Sequence, residues 1–155
     1  MSDVPIIFDD RLRRLRRARV MHSGQLADFM LEHAAHELSD RVGAINRSFG
    51  TIVCHGAANA SQIIAKDVIA TDLVSFPGVG VVLDEAALPF APGAIDLYAS
   101  ILSLHAVNDL PGALAQIRQS LKPDGVFMAA MFGGRTLAEL RSCLSDAEQI
   151  GRAHV

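Results

Sequence analysis

Asp72 closes the run "DVIATD" and stands 16 residues beyond Gly56 in "TIVCHGAANA". A carboxylate ending one strand, downstream of a small-residue turn ending another, can accept hydrogen bonds from both hydroxyls of a ribose. Capping of a turn or helix is the plain alternative for such an aspartate. Asp84, in "VVLDEAALPF", could accept a hydrogen bond from an adenine amino group while apolar neighbours sandwich the ring. Its plain alternative is to cap a short "EAA" turn. Leu73 and Glu85, each next in sequence to one of these acids, complete the candidate nucleotide-binding set with Gly56.

"SLHAVNDLPGALAQI" offers a second kind of chemistry. The imidazole of His105 titrates near neutrality and could act as a base in a pocket, although a lone histidine often serves structure only. Asn108 or Asp109 followed by Pro111 reads as a helix start, which accounts for those residues without chemistry. His33 and His36 stand in the order H-x-x-H-E, which matches neither zinc-protease helix pattern. They read as a solvated helix face, and no metal is assigned.

The elements that would position these residues fall into two textures. Residues 1–50 read as a helical N-terminal segment, with helices around the arginine run, from about Gln25 to Leu38, and from about Asp40 to Ser48. After Gly50 short β-rich runs alternate with helical ones: 51–54, 67–72, 78–84, 94–100 and 125–132. Such alternation implies crossover units and a parallel sheet buried on both faces. The expected fold is α/β, an open doubly wound parallel sheet preceded by the helical segment. Ligands of such sheets lie at the carboxyl ends of the strands, where Gly56, Asp72, Asp84, Glu85 and His105 are all expected.

Composition narrows the function classes. Half of the 155 residues are hydrophobic and the net charge is −3, which gives no nucleic-acid footprint. No apolar run approaches a transmembrane span, and "MSDVPIIFDD" lacks the pattern of a secretory signal. Two isolated cysteines, Cys54 and Cys143, form neither a metal knuckle nor a disulfide framework, so a cytoplasmic setting is expected. Charge is unevenly spread, however. Six arginines lie between Arg11 and Arg19, and like charges so close repel when unpartnered. They are expected to meet a protein or an anionic substrate, in preference to lying on a solvated helix.

"DEAALPFAPGAIDLYASILSLHAVNDLPGALAQIRQSLKPDGVFMAAMFGGRTLAELR" resembles the central part of class I S-adenosylmethionine-dependent methyltransferases. Within that family it is similar to the branch holding the biotin-synthesis malonyl-carrier-protein methyltransferase and the respiratory complex I assembly factor 5. "FDDRLRRLRRARV" and "LSDRVGAINRSFG" resemble that branch's N-terminal helices, so the likeness runs from residue 8 to about 148. The resemblance implies a Rossmann-like fold with five parallel strands in order 3-2-1-4-5, S-adenosylmethionine as cofactor, and methyl transfer to a small-molecule or protein acceptor. It matches Gly56 to the first glycine of the cofactor loop, Asp72 to the ribose acid and Asp84 to the adenine-side acid. A catalytically impaired assembly or scaffolding factor is the other role it allows.

Two departures accompany it. The family loop reads acid-x-Gly-x-Gly-x-Gly, and those places here are Cys54, Gly56, Ala58 and Ala60. Alanine at positive φ is disfavoured by roughly 1–2 kcal/mol, so weakened cofactor binding is expected, to be tightened by Asp at 54 and Gly at 58 and 60. Ala106 stands where the branch usually has Trp. At the other end, residues 51–149 are expected to form an incomplete core lacking the family's C-terminal hairpin. The tail 150–155, "IGRAHV", fits no continuation of a helix and can be encoded by a common sequencing adapter, so it is expected to be non-native.

Overall fold

Ile52, Val53, Cys54 and His55 form β1 (Ile52–His55), fully buried in the middle of the sheet. The computed structural model describes residues 5–23, 29–57 and 60–152. Around β1 lie β2 (Ile69–Asp72), β3 (Val81–Val82), β4 (Ile95–Ile101) and β5 (Leu121–Ala130). All pairings are parallel and the order is β3-β2-β1-β4-β5, the order expected from sequence. Each strand must therefore be reached by a crossover. The helices are α1 (Asp10–Ser23), α2 (Phe29–Gly43), α3 (Ser61–Ile64), α4 (Leu110–Ser120) and α5 (Ala138–Arg152).

The pleat sorts the core into two layers. Ile52, Cys54, Leu97, Ala99 and Ile101 pack with Ala34, Ala35 and Leu38 of α2 and Ile64 of α3. Val53, Ile95 and Tyr98 face the other way, onto Leu104, Ile117 of α4 and Leu121. β4 is buried along its whole length, as a strand covered on both faces must be. α4 begins where Asp109 accepts a 2.9 Å hydrogen bond from the Gly112 amide, with Pro111 in the first turn. The plain capping reading of Asp109 and Pro111 is thus the observed one.

Several expectations need correction. No third helix forms over Asp40–Ser48: α2 runs on to Gly43 and then gives way to turns. Glycine ends the helix readily, and Arg47 is drawn away to the Asp124 carbonyl, 2.5 Å distant. The strand expected over 78–84 shrinks to Val81–Val82, because Gly78 has φ of +96° and breaks the extended run. The strand expected at 125–132 starts earlier, at Leu121, with its register shifted against β4 between Ile95 and Leu97. α5 continues through Arg152, where no helical continuation was expected of Ile150 onward. Residues 25–28 of the expected second helix, and 153–155 of the tail, lie outside the described residues.

Candidate functional site

The carboxyl ends of β1, β2 and β4 converge on one pocket of about 290 Å³. Its walls include His55, Gly56, Asp72, Leu73, Ser103 and His105, with Arg13, Arg16 and Arg17 of α1 across the opening. Gly56 carries φ of +93°, and a side chain there would collide with the Ile101 carbonyl. Only glycine fits this turn out of β1, and the packing of the chain itself is what demands it. Asp72 is almost fully buried at the end of β2, and its Oδ1 accepts from the Leu73 amide at 2.8 Å. Asp84 caps the turn that follows, accepting from the Ala86 amide at 2.9 Å. The turn-capping reading of Asp84 therefore holds alongside any other role.

Of the sequence-derived candidates, Gly56, Asp72, Leu73 and His105 line this pocket. Asp84 is half-exposed beyond it, and Glu85 is buried behind it.

α1 occupies the acidic positions. Arg17 makes a two-pronged contact with Asp72, Nε to Oδ1 at 3.1 Å and Nη2 to Oδ2 at 2.6 Å. Its Nη2 also donates to the Gly56 carbonyl at 2.8 Å. Arg14 donates to Asp84 at 2.5 Å and to the Leu73 carbonyl at 2.8 Å. Arg13 donates to Glu85 at 2.5 Å and to the Ala106 carbonyl at 2.6 Å. Three of the six arginines expected to meet an outside partner thus meet the chain's own carboxylates. Arg11, Arg16 and Arg19 have no such contact among the described residues, and Arg16 points its charge at the pocket rim.

Behind the pocket lies a polar network that the sequence reading did not find. His55, fully buried, sits 3.0 Å from Thr71 Oγ1 and 3.1 Å from Glu85 Oε1. Ser103 donates to the same Glu85 oxygen at 2.5 Å. Burial by itself would raise the Glu85 pKa. Hydrogen bonds from His55 and Ser103, with the charges of His55 and Arg13, outweigh burial and lower it to about 2. The available signal was His55 ending the otherwise apolar β1 and Thr71 just before the last residue of β2. Leu102 was also missed: it lines the pocket with φ of +47°, a conformation rarely adopted by a bulky residue.

His105 sits in a short 3₁₀ turn after β4 and packs edge-on against Phe132, ring centres 4.7 Å apart. Its Nδ1 is buried with no hydrogen-bond partner among the described residues. Burial, and then the charge of Arg13, lower its pKa, so the neutral imidazole is favoured. A neutral ring facing the pocket can take a proton or orient an acceptor. Cys54 faces the apolar layer under α2, and burial pushes its thiol up to about 12, which removes it as a nucleophile.

The residues fit an adenosyl group in kind, with qualifications. The donor-accepting acids stand at the ends of β2 and β3, and Gly56 keeps the turn open. Ala60 is not the strained residue expected, because its φ is −106° and alanine is unstrained there. Ala58 lies outside the described residues. In the observed arrangement Arg17 engages both carboxylate oxygens of Asp72.

The family model described as "Methyltransferase domain" matches residues 29–129. The arginine-hydroxylase NDUFAF5, mitochondrial, of Danio rerio is 38% identical over 92% of this chain and 50% of its own length. Malonyl-[acyl-carrier protein] O-methyltransferase of Xylella fastidiosa (strain M23) is 37% identical over 43% of this chain and 23% of its own. In fold, the chain is similar to a phosphoethanolamine N-methyltransferase of Haemonchus contortus, solved with phosphoethanolamine and S-adenosylhomocysteine. That likeness has a TM-score of 0.59 and 14% identity, covering 78% of this chain and 33% of the other. The chain spans about half the length of the NDUFAF5 relative from Danio rerio. Its five-stranded topology and its match to the domain model over residues 29–129 agree: the chain belongs to the class I S-adenosylmethionine-dependent methyltransferase family.

Proposed function

We propose that the chain binds S-adenosylmethionine through Gly56, Asp72, Leu73 and Asp84, with Glu85 supporting the pocket wall from behind, and transfers its methyl group to an acceptor bound beside His105. The observation that carries this reading is the convergence of a positive-φ Gly56, a buried Asp72 and an unpartnered His105 nitrogen on one pocket. Asp72 would hold the ribose hydroxyls and Asp84 the adenine side. Glu85 would act indirectly, fixing Ser103 and His55 in the pocket wall. The cofactor supplies an already activated methyl group, so the protein's work is alignment and exclusion of water. His105 would orient the acceptor or accept its proton. An anionic small molecule, or an acidic segment of a protein, suits the rim, where Arg16 is unpaired.

In this reading residues 1–50 serve the core of residues 51–149 as a cover for its pocket. Two free cysteines suit the cytoplasm or another reducing compartment; the Danio rerio relative is named as a mitochondrial protein. Among the described residues no helix is long and apolar enough to cross a membrane.

Calorimetric titration with S-adenosylhomocysteine tests the cofactor step. Binding that Asp72→Ala abolishes is expected; absence of binding at millimolar ligand overturns the reading. A second reading, a non-catalytic assembly factor, is favoured by the three arginine–carboxylate contacts that fill the acid positions. Restoration of function by Asp72→Ala in cells lacking the protein would select it.

A further inference from the structure

We propose that α1 is an internal competitor for the cofactor site, a plug whose arginines occupy the carboxylates a ligand needs and which must swing out for the ligand to enter. The inference rests on the cofactor reading above and concerns the regulation of that site.

Three observations carry it. Both oxygens of Asp72 are engaged, one by Arg17 Nε and the Leu73 amide, the other by Arg17 Nη2. A guanidinium fork offers two parallel donors, as does a vicinal diol, so ribose and Arg17 compete for the same acceptor pair. Arg14 engages one oxygen of Asp84, and the Ala86 amide engages the other.

Next, α1 has no buried residue. Leu12, Leu15 and Val20 are all exposed, so the helix is held over the pocket by polar contacts from its arginine side chains. Such contacts can be exchanged for those of a ligand without uncovering an apolar core.

Finally, the chain is tethered just before the helix. Asn108 Oδ1 accepts from the amides of Ile7 and Phe8 at 2.9 and 2.8 Å, and its Nδ2 donates to the Phe8 carbonyl at 3.0 Å. This clamp keeps the helix near the pocket while its arginines let go. A lid that closes over a bound ligand would present its cations to the ligand, whereas these face the acids beneath.

Adenosine is the probe, because it is uncharged and carries both the diol and the adenine. Its affinity is measured by calorimetry for the chain itself, for Arg17→Gln, and for Arg19→Gln, which removes the same charge from an exposed, unpaired site. Amide exchange across residues 10–23 is followed in parallel on the unaltered chain. The plug requires about tenfold tighter binding in Arg17→Gln, no change in Arg19→Gln, and faster exchange in α1 when adenosine is bound. It also requires binding to strengthen with moderate salt, which screens the arginine contacts once they loosen. Slower exchange in α1, or unchanged or weaker binding in Arg17→Gln, overturns the plug and leaves the cofactor reading standing. Failure of adenosine to bind any of the three proteins overturns both.

Discussion

At the β1–β2–β3 side of the sheet every carboxylate at a strand end meets a cation, whereas the β5–α5 side leaves apolar groups bare. Arg17 covers Asp72, Arg14 covers Asp84, and Arg13 with His55 covers Glu85. On the other side Phe127, Met131, Phe132, Leu137, Leu140 and Leu144 are all exposed. Among the described residues β5 pairs with β4 alone. The contrast teaches that the two sides are held by different forces. The acid side is held by specific donors and acceptors between α1 and the strand ends. The β5 side is held by β4 and by apolar packing of Val126, Met128 and Ala130 on the layer with α2, and α5 adds little to the core.

Moving a charge by one residue tests this division most severely. Cys54→Asp would restore the acid expected of the loop, yet residue 54 faces Ala34, Ala35 and Leu97, not the pocket. An unpaired carboxylate there should cost about 4 kcal/mol or more. Chemical denaturation should show a large fall in midpoint and no gain in ligand affinity. A neutral outcome would show that the acid finds a cation that the present packing hides.

The contrast between core and bare side is sharpened by a pair of truncations. Leu97→Ala, at the fully buried centre of β4, should cost about 3 kcal/mol. Leu144→Ala, on exposed α5, should stay within about 0.5 kcal/mol in the same denaturation experiment. Comparable losses from both would mean that α5 is packed in solution.

Acid should undo the other side. The folded-state pKa of Glu85 is lowered from 4.5 to about 2, so the unfolded chain binds a proton there first as pH falls. The stabilisation is fully present above about pH 5 and drains away between there and about pH 2, by about 3 kcal/mol in all. Glu85→Gln should flatten that window of the stability–pH curve while lowering stability at neutral pH. His105, whose pKa is also lowered, adds a slope of the same sign below its ordinary 6.5. An unchanged acid limb in Glu85→Gln would remove the network from the account of stability.

The legible parts of this molecule were those encoded by neighbours in sequence. The alternation of strand and helix runs marks a parallel sheet, the likeness to a known family supplies its order, and Asp109 followed by Pro111 marks the start of α4. The small-residue turn after β1 and the acids after β2 and β3 placed the strand-end residues. The partners of α1 were not legible, because Arg17 and Asp72 are separated by 55 positions and Arg13 and Glu85 by 72. No local pattern says which carboxylate an arginine will reach. The same holds for the His55–Glu85 contact, which needs β1 and the β3 turn to be brought side by side. The helix expected over Asp40–Ser48 failed for a related reason: Arg47 is committed to Asp96 and Asp124, on segments far from it in sequence.

The smallest expected effect concerns the loop itself. From the sequence, Ala60 reads as a strained substitute for glycine, and Gly there should relieve strain and tighten cofactor binding. In the structure Ala60 is buried at the start of α3 with φ of −106°. No left-handed strain exists there to relieve. Ala60→Gly instead removes a buried methyl and frees the unfolded backbone, which together should cost about 1 kcal/mol. Titration with S-adenosylhomocysteine should show an affinity within about twofold of the unaltered chain, a difference near 0.4 kcal/mol. A tenfold gain would mean that the loop adopts positive φ at this position when the ligand is bound. The turn after β1 would then belong with the parts that move, together with α1, and not with the fixed acid side.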